Sequence, residues 1–475
     1  MRVLAVASEF YPIVKTGGLA DVTGVLPAAL GAEGIEVRTL LPGYPVVISA
    51  LQQATVVLEA EVMGGPAKLL LGRAGANTLF VLDAPHLYDR LGTPYADQDG
   101  VDWPDNAQRF AALAQMGARI GQGAVPGWVP RVVHCHDWQT GLLPAYFSEA
   151  PRPGTVFTIH NLAFQGWFPA ALLGELGLPD ASFTIDGVEF YGGIGMLKAG
   201  IRLSDRITTV SPTYMAEIQT PAFGAGLDGL LRSRASVLSG ILNGIDRAQW
   251  DPSRDKAIAA PFGPGTLRRR SRNKAALQAK MGLLPDASTP LFGVVGRLTE
   301  QKGVDVLLDA LPVLLAGGGQ LAVLGTGDRA IQQRFTAAAA EYPGRVAAML
   351  AFDEAVAHQM QAGIDALVVP SRFEPCGLTQ LCALRYGVIP VVARVGGLAD
   401  TVIDANTAAL SAGVATGVQF WPVSPDALAG ALRRTLGLWS MPKTWARLQK
   451  NAMAADFGWS GPARAYASLY RSVAA

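Results

Sequence analysis

Two short segments combine glycines with positive charge where a strand is predicted to end and a helix to begin. One is KTGGL at residues 15–19, and the other is GRLTEQKG at residues 296–303, which contains Arg297 and Lys302. Glycines let the backbone approach an anion, and the helix N-terminus adds free N–H groups and a positive dipole end. Two cations at such a point can bind a diphosphate and stabilise it as it leaves. Both segments also have a simpler interpretation, as turn glycines and solvated surface charges.

A third segment, PSRFEPCGLT at residues 370–379, again follows a short apolar run. Glu374 stands just before a predicted helix, close to the amides of Gly377, Leu378 and Thr379. A carboxylate at this point can accept hydrogen bonds from sugar hydroxyls, and the amides can hold phosphate oxygens. The alternative is that Glu374 only complements the helix dipole.

Three of the five histidines fall in two further segments, HCHDW at 134–138 and TIHNL at 158–162. Each segment stands at the end of a predicted strand, so Asp137, His160 and Asn161 can orient a polyhydroxylated ligand at the mouth of a sheet. His134 and His136 share one face of their strand, but no third ligand accompanies them. We therefore predict no metal site here.

Two other segments match known patterns only in part. DQD at 97–99 has the spacing of an acidic metal–nucleotide motif, but it lies in a polar loop with no strand before it, so we interpret it as solvated turn residues. GTGD at 325–328 follows a strand but lacks the third glycine of the dinucleotide fingerprint.

Short, continuous apolar runs predict the strands that must position these segments. Such runs are typical of parallel strands that helices cover on both faces, and helical patterns with a period near 3.6 residues lie between them. The predicted strands are Val3–Ala7, Val37–Leu41, Thr78–Leu82, Arg131–His134, Val156–His160, Ile207–Val210, Leu291–Val295, Leu321–Leu324, Val346–Met349, Ala366–Val369 and Val391–Ala393.

Two such series of strands and helices predict an α/β protein with two doubly wound, Rossmann-like domains. We expect an N-terminal domain at 1–245, a C-terminal domain at 246–455, and a terminal helix at 456–475 that packs back on the N-terminal domain. Ligands of open α/β sheets bind outside the carboxyl ends of the strands. The cleft between the two domains is therefore the expected active site.

Composition excludes several classes of protein. Half of the 475 residues are hydrophobic and 16% are charged, which excludes a disordered chain. The net charge of +1 argues against nucleic acid as the main partner. The longest charge-free apolar stretch, 310–327, contains Pro312 and three consecutive glycines, so no membrane span is predicted.

The three cysteines are too few for a disulfide framework, and the first residues are not typical of a signal peptide. We expect reduced thiols in a cytoplasmic protein. Cys376 either fills a tight turn or is a reactive thiol near a helix N-terminus.

The five segments at 15–19, 134–138, 158–162, 296–303 and 370–379, in this order and spacing, resemble those of bacterial glycogen synthases and plant starch synthases. Those enzymes are retaining glucosyltransferases with the two-domain GT-B fold. The resemblance covers nearly the whole chain, because it extends to WPDN at 103–106, LKAGI at 197–201, TVSPTY at 209–214, GLDGL at 226–230 and LNGID at 242–246.

The resemblance implies a reaction, its substrates and a location. Glucose passes from ADP-glucose to the non-reducing 4-hydroxyl of an α-1,4-glucan such as glycogen, with retention of configuration and release of ADP. It also implies no cofactor and no metal, no nucleic acid or membrane as partner, and the cytoplasm of a bacterium.

The resemblance also assigns residues to roles. The implied catalytic residues are Glu374, near the donor glucose, His160, beside the sugar, and the phosphate clamp of Arg297 and Lys302. The implied substrate-binding residues are Lys15, Gly17, Gly18, Asp21, Asp137, Asn161, Asn243, Phe352, Gly377, Leu378 and Thr379. Among these, Asp21 is placed near the nucleoside and Phe352 is placed where a ring would stack on adenine.

One departure concerns the wider group of retaining transferases, which carry a second Glu eight residues after the first. Here that position is Cys382. A double displacement needs a carboxylate nucleophile on the far face of the sugar. Because these motifs offer no second acid, we expect front-side attack, in which an ADP oxygen takes the proton of the acceptor.

Three other functions stay open on the sequence alone. The chain could use UDP-glucose or another acceptor, it could bind glucan without turnover, or it could bind a dinucleotide as a dehydrogenase. Trp103, Trp138 and Trp167 are either core residues or rings that stack on glucan.

Overall fold

A computed structural model of the chain describes residues 1–147 and 151–474. The chain forms two compact units. The N-terminal unit contains Met1–Asn243 together with the segment from Trp459 onward, and the C-terminal unit contains Gly244–Gly458.

The strands alternate with helices through most of both units. The strands are β1 Arg2–Val6, β2 Glu36–Pro42, β3 Gln52–Val62, β4 Gly65–Ala74, β5 Asn77–Asp83, β6 Val132–His136, β7 Gly154–Ile159, β8 Trp167–Pro169, β9 Glu189–Phe190, β10 Gly193–Gly195, β11 Arg206–Thr209, β12 Leu238–Gly240, β13 Leu291–Val295, β14 Gln320–Leu324, β15 Val346–Met349, β16 Ala366–Val369, β17 Ile389–Ala393 and β18 Val418–Phe420.

The α-helices cover the faces of the sheets. They are α1 Gly18–Gly31, α2 Pro45–Ala50, α3 Pro85–Tyr88, α4 Asn106–Gly121, α5 Met196–Leu203, α6 Pro212–Glu217, α7 Asp228–Ser233, α8 Arg270–Met281, α9 Val304–Ala316, α10 Arg329–Glu341, α11 Glu354–Gly363, α12 Thr379–Arg385, α13 Gly396–Thr401, α14 Thr407–Ala412, α15 Pro425–Trp439, α16 Pro442–Ala454 and α17 Ser460–Val473.

The N-terminal unit is built on a nine-stranded sheet of order β12-β11-β7-β6-β1-β2-β5-β4-β3. The seven strands from β12 to β5 pair in parallel, whereas β4 and β3 form an antiparallel extension at one edge. The central strands β6 and β7 are buried along their whole length, as their continuous apolar runs predict. A separate three-stranded antiparallel sheet has the order β8-β10-β9.

The C-terminal unit is built on a six-stranded, fully parallel sheet of order β15-β14-β13-β16-β17-β18. The helix α9 illustrates how its core forms. Val304, Leu307, Leu311 and Leu315 recur at helical spacing, and all four are buried in the apolar cluster of this unit. All parallel strands end at the same edge, so the loops that follow them meet there.

The helix α17 belongs to the N-terminal unit although it is the last helix of the chain. Its buried face, which includes Tyr466 and Tyr470, packs with Val3 of β1 and Val156 of β7 in one apolar cluster. Tyr470 also reaches the interior of the sheet, where its hydroxyl lies 2.7 Å from Nδ1 of His134.

The predicted α/β class with doubly wound parallel sheets is confirmed. Pro27 lies inside α1, which runs through it from Gly18 to Gly31. Within residues 1–147 and 151–474, no helix has the length and apolar character needed to cross a membrane.

Candidate active site

Five loops meet at the carboxyl edge of the C-terminal sheet, and two of the sequence motifs and Phe352 lie in them. They follow β13, β14, β15, β16 and β17, which are neighbours in the sheet. The motif around Lys302 follows β13, the exposed Phe352 follows β15, and the motif around Glu374 follows β16. The topology therefore brings together residues that are far apart in the sequence.

Lys302 and Glu374 form an ion pair at this edge. The Nζ of Lys302 donates to Oε2 of Glu374 at 2.6 Å, and the Oγ of Ser371 donates to the same oxygen at 2.9 Å. The side chain of Glu374 is 6% exposed and that of Lys302 is 24% exposed. Within the described ranges the other oxygen, Oε1, accepts no hydrogen bond, so it is available to a ligand hydroxyl.

Two glycines allow the loops to pack backbone against backbone around this pair. Gly303, with φ +64°, directly follows Lys302, and a Cβ on it would lie 1.9 Å from the carbonyl oxygen of Pro370. Gly396, with φ +43°, has the same relation to the carbonyl oxygen of Glu374, also at 1.9 Å. Any other residue at either position would both strain the backbone and push a loop away.

Arg297 and three backbone amides offer positive charge and N–H donors at the same edge. Arg297 is exposed, and no ion pair or hydrogen bond engages its side chain in the described part of the chain. The amides of Gly377, Leu378 and Thr379 donate to no acceptor among the described residues. Free donors beside an unpaired guanidinium are the arrangement that binds phosphate oxygens.

Phe352 presents its ring to solvent. Its relative exposure is 79%, which is unusual for a phenylalanine, and it stands in the loop after the edge strand β15. An exposed ring at the mouth of the sheet can stack on a planar base.

In the N-terminal unit, the KTGGL loop after β1 is held by a buried carboxylate that sequence reasoning missed. Glu9 is 3% exposed and accepts four hydrogen bonds. Its Oε2 accepts from the backbone N–H groups of Thr16 at 2.6 Å and Gly17 at 3.2 Å, and its Oε1 accepts from the hydroxyls of Thr16 at 2.6 Å and Tyr95 at 2.5 Å. The amide of Gly17 is therefore engaged inside the protein.

The sequence carried one signal for Glu9, which is an acidic residue three positions after the end of a buried strand and six before Lys15. Tyr95 carried no comparable signal, since it belongs to a loop 86 residues away from Glu9 in sequence.

Lys15 is also engaged. Its Nζ donates to Oδ1 of Asp21 at 2.7 Å and lies 5.1 Å from the centre of the Tyr11 ring. Both side chains of the Lys15–Asp21 pair are about a quarter exposed, at 29% and 24%, so a ligand can still reach them.

Asp137 directly follows β6 in an unusual backbone conformation, with φ +58°. Its Oδ1 accepts the backbone N–H of His160 at 2.7 Å and that of Asn161 at 3.4 Å. This aspartate therefore fixes the start of the loop after β7. Burial raises the pKa of Asp137 to about 7, against an ordinary value of 3.8, because the low-dielectric interior disfavours the charged carboxylate.

The three clustered histidines form a buried row, in which His136 and His160 are hydrogen-bonded. Nδ1 of His136 lies 2.9 Å from Nε2 of His160, and the ring of His136 also lies 4.0 Å from that of His134. Burial lowers the pKa of His134 and of His160 to about 3 and holds the pKa of His136 well below its usual range. All three imidazoles are therefore neutral near pH 7.

Asn243 follows the edge strand β12 and is 5% exposed. Its Oδ1 is buried, and it has no hydrogen-bond partner among the residues that the structure describes. An unused acceptor of this kind is suited to a ligand hydroxyl or a bound water.

Side chains that could hold a metal ion do not converge in the described ranges, where no group of three or more His, Cys, Asp or Glu has the required proximity. Of the residues that sequence reasoning selected, the C-terminal edge brings together Arg297, Lys302, Glu374 and Gly377–Thr379. The N-terminal unit brings Asp137, His160 and Asn161 together, and Lys15 with Asp21.

The sequence matches two known families. Residues 2–233 match the family described as starch synthase catalytic domain, and residues 280–453 match glycosyl transferases group 1. Among curated relatives, the glycogen synthase of Rhodopseudomonas palustris (strain ATCC BAA-98 / CGA009) is 60% identical, covering 100% of this chain and 99% of its own. The glycogen synthase of Acidiphilium cryptum (strain JF-5) is also 60% identical, with the same coverage.

Solved structures agree with these matches. The catalytic domain of starch synthase IV from Arabidopsis thaliana, bound to ADP and acarbose, superposes with a TM-score of 0.91. It is 31% identical, and the match covers 99% of each chain. A sucrose-phosphate synthase from Thermosynechococcus elongatus is 19% identical over 99% of this chain and 98% of its own, with a TM-score of 0.61, and supports the fold alone.

Proposed function

Because the chain belongs to the glycogen synthase and starch synthase family, we propose that it transfers glucose from ADP-glucose to an α-1,4-glucan. The acceptor is the 4-hydroxyl at the non-reducing end, the anomeric configuration is retained, and ADP is released. The observation that carries the proposal is the buried Glu374, whose Oε2 is held by Lys302 and Ser371 while Oε1 stays available.

The diphosphate of the donor is assigned to the carboxyl edge of the C-terminal sheet. Arg297 supplies an unpaired guanidinium, and Lys302 supplies an ammonium that also pairs with Glu374. The backbone of Gly377, Leu378 and Thr379 supplies amide donors. Negative charge grows on the departing ADP in the transition state, so donors fixed in advance lower the barrier. With cations in this role, we propose that turnover needs no metal ion, and enzyme treated with a chelator should keep its rate.

The glucose and the base are assigned to other groups. Oε1 of Glu374 accepts from a glucose hydroxyl, and Phe352 stacks on the adenine. In the N-terminal unit, Lys15, Gly17, Gly18 and Asp21 are assigned to donor binding. His160, positioned by Asp137, belongs beside the sugar, and Asn161 and Asn243 supply polar contacts to the glucose or the acceptor.

Retention proceeds by front-side attack in this proposal. The bond from the anomeric carbon to the ADP oxygen breaks, the bond from that carbon to the acceptor oxygen forms, and the acceptor proton goes to the departing ADP oxygen. A double displacement would need a second carboxylate as nucleophile. The position that carries a second Glu in the wider group is Cys382, which is buried in α12.

A donor panel tests the function. Purified protein is incubated with glycogen and, separately, with ADP-, UDP- and GDP-glucose, and both nucleoside diphosphate release and chain growth are measured. We expect release with chain growth from ADP-glucose, and NMR of the product should show only α linkages. Preferential use of UDP-glucose would correct the donor, and a trapped glycosyl–enzyme adduct would contradict front-side attack.

The alternative of a glucan-binding protein without turnover is tested in the same experiment. Retention on a glycogen column with no diphosphate release from any donor would support it. A Glu374→Gln variant is the matched control, since it should bind glycogen as the wild type does and release no ADP.

A further inference from the structure

We propose that Arg372 is a positioning residue for the transfer reaction, because it ties the loop that carries Glu374 to the turn that carries Lys302. The inference rests on the proposed function of that pair. Lys302 follows β13 and Glu374 follows β16, so their 2.6 Å contact depends on how two separate loops are held together.

The guanidinium of Arg372 makes three hydrogen bonds to residues that stand before and after Lys302 in the sequence. Its Nη1 and Nη2 donate to the two carboxylate oxygens of Asp305 at 2.8 and 2.7 Å, and Nη1 also donates to the carbonyl oxygen of Glu300 at 2.6 Å. Asp305 lies in the first turn of α9, and Glu300 begins the turn that ends at Lys302. One planar group therefore joins both sides of Lys302 to the loop after β16.

Two further hydrogen bonds, both to backbone carbonyl oxygens, connect the same two loops. The N–H of Arg372 donates to the carbonyl oxygen of Gln301 at 2.9 Å, and the side-chain amide of Gln301 donates to the carbonyl oxygen of Phe373 at 3.4 Å. These contacts surround Lys302 and Glu374 in sequence, but Arg372 itself bonds to neither side chain. It can act on the reaction only through their placement.

The fork geometry makes lysine a poor substitute for Arg372. A guanidinium holds its N–H donors in one rigid plane, whereas an ammonium is a point charge that cannot reproduce the two parallel bonds. The pairing also shifts the pKa of both partners. Hydrogen bonding and charge from Arg372 lower the pKa of Asp305, and Asp305 raises the pKa of Arg372.

The C-terminal unit offers a matched control in Arg434. It forms a similar exposed pair with Asp404, through Nη2 to the two oxygens at 2.9 and 3.0 Å, and it also bonds to backbone carbonyls. Its side chain is 42% exposed, against 36% for Arg372. This pair lies next to β18 and away from the loops after β13 and β16.

The experiment compares Arg372→Lys with Arg434→Lys in the full chain. Displacing a reacting group by about 1 Å costs about 10²-fold in rate, so we expect kcat to fall about 10- to 100-fold in Arg372→Lys and less than about twofold in Arg434→Lys. Both should lose similar thermal stability, since each exposed pair contributes little to it. Equal kcat values in the two variants would overturn the proposal.

A double-mutant cycle with Lys302→Ala separates positioning from general weakening. If Arg372 acts by placing Lys302 against Glu374, the change to Lys should cost less than about twofold in kcat when Lys302 is already absent. Independent losses that multiply would instead assign Arg372 a separate role and contradict the inference.

Hydrogen exchange keeps this inference distinct from the proposed function. If the wild-type protein does not turn over ADP-glucose, the proposed function is wrong. Amide exchange then tests by itself whether Arg372 positions the two loops. We expect faster exchange at 300–303 and 370–379 in Arg372→Lys than in Arg434→Lys. Unchanged protection of both segments would overturn the structural role of Arg372.

Discussion

The Nζ of Lys302 donates to Oε2 of Glu374 at 2.6 Å, although 72 residues separate the two in the chain. The ammonium thereby neutralises a carboxylate that is 95% buried. Lys302, which is assigned to the phosphate, and Glu374, which is assigned to the sugar, are therefore not independent of each other. Removing either partner therefore has effects on stability as well as on chemistry.

We predict that Lys302→Ala loses both activity and stability. The loss of a donor aimed at the developing charge should lower kcat about 10²- to 10³-fold. The unpaired, buried Glu374 should lower the free energy of unfolding by about 1–3 kcal/mol, a range reduced because Lys302 is partly exposed. Urea unfolding and initial-rate kinetics measure the two effects.

The double variant Lys302→Ala/Glu374→Gln is the control for this prediction. Neutralising the carboxylate should recover part of the lost stability without recovering turnover. A double variant as unstable as Lys302→Ala would show that the pair is not the origin of the loss.

We predict that Arg297→Ala loses activity but keeps its stability, in contrast to Lys302→Ala, which loses both. Its side chain is exposed and unpaired in the described part of the chain, so Arg297→Ala should change the free energy of unfolding by less than about 0.5 kcal/mol. Turnover should still fall about 10²- to 10³-fold, because the guanidinium is assigned to the leaving diphosphate. Calorimetry and steady-state kinetics check the contrast, and full activity of Arg297→Ala would remove Arg297 from the phosphate site.

Asp137 should make the protein less stable as the pH rises. Its pKa is raised by burial from 3.8 to about 7, so the folded protein keeps a proton that the unfolded chain releases. The stabilising contribution is complete below about pH 4 and is lost progressively up to about pH 7, by at most about 4 kcal/mol. Urea unfolding of the wild type and Asp137→Asn across this range measures it, and parallel curves for the two proteins would contradict the assignment.

The buried histidines should act in the opposite direction. Burial lowers the pKa of His134 and of His160 from 6.5 to about 3, so their contribution to stability is complete above pH 6.5 and is lost as the pH falls toward 3. At pH 5 each imidazole should cost the folded state up to about 2 kcal/mol. The variant His134→Gln should lose less stability between pH 7 and pH 5 than the wild type.

The exposed His86 provides the control for that comparison. His86→Gln replaces a histidine that is exposed, so it is the comparison in which burial is absent. If His86→Gln shifts the pH dependence as much as His134→Gln does, burial is not its cause.

Much of the fold could be predicted because its central strands are buried on both faces. Each of the eleven predicted strands lies within two residues of an observed one. The hairpin of β3 and β4 was missed because β3 is mostly exposed and its continuous apolar run, at 56–58, is only three residues long. The strands β8, β9, β10, β12 and β18 were missed because they are only two or three residues long.

The sequence motifs identified residues of the candidate site, but they did not predict which of these residues contact one another. Lys302 and Glu374 were both selected from the sequence, yet only the order of strands β13 and β16 in the sheet makes them partners. Glu9 was missed because its position between β1 and Lys15 was the only signal, and its four donors come from two loops that are distant in the sequence.

The return of α17 to the first unit sets an order of events during synthesis. The chain leaves the N-terminal unit at Asn243 and comes back only at Trp459, after the whole C-terminal unit has been made. Until α17 emerges from the ribosome, Val3 and Val156 lack the apolar side chains that α17 contributes to their cluster, and His134 lacks Tyr470. The first half of this protein is therefore the last to be completed, and until then the nascent chain exposes apolar side chains that α17 later buries.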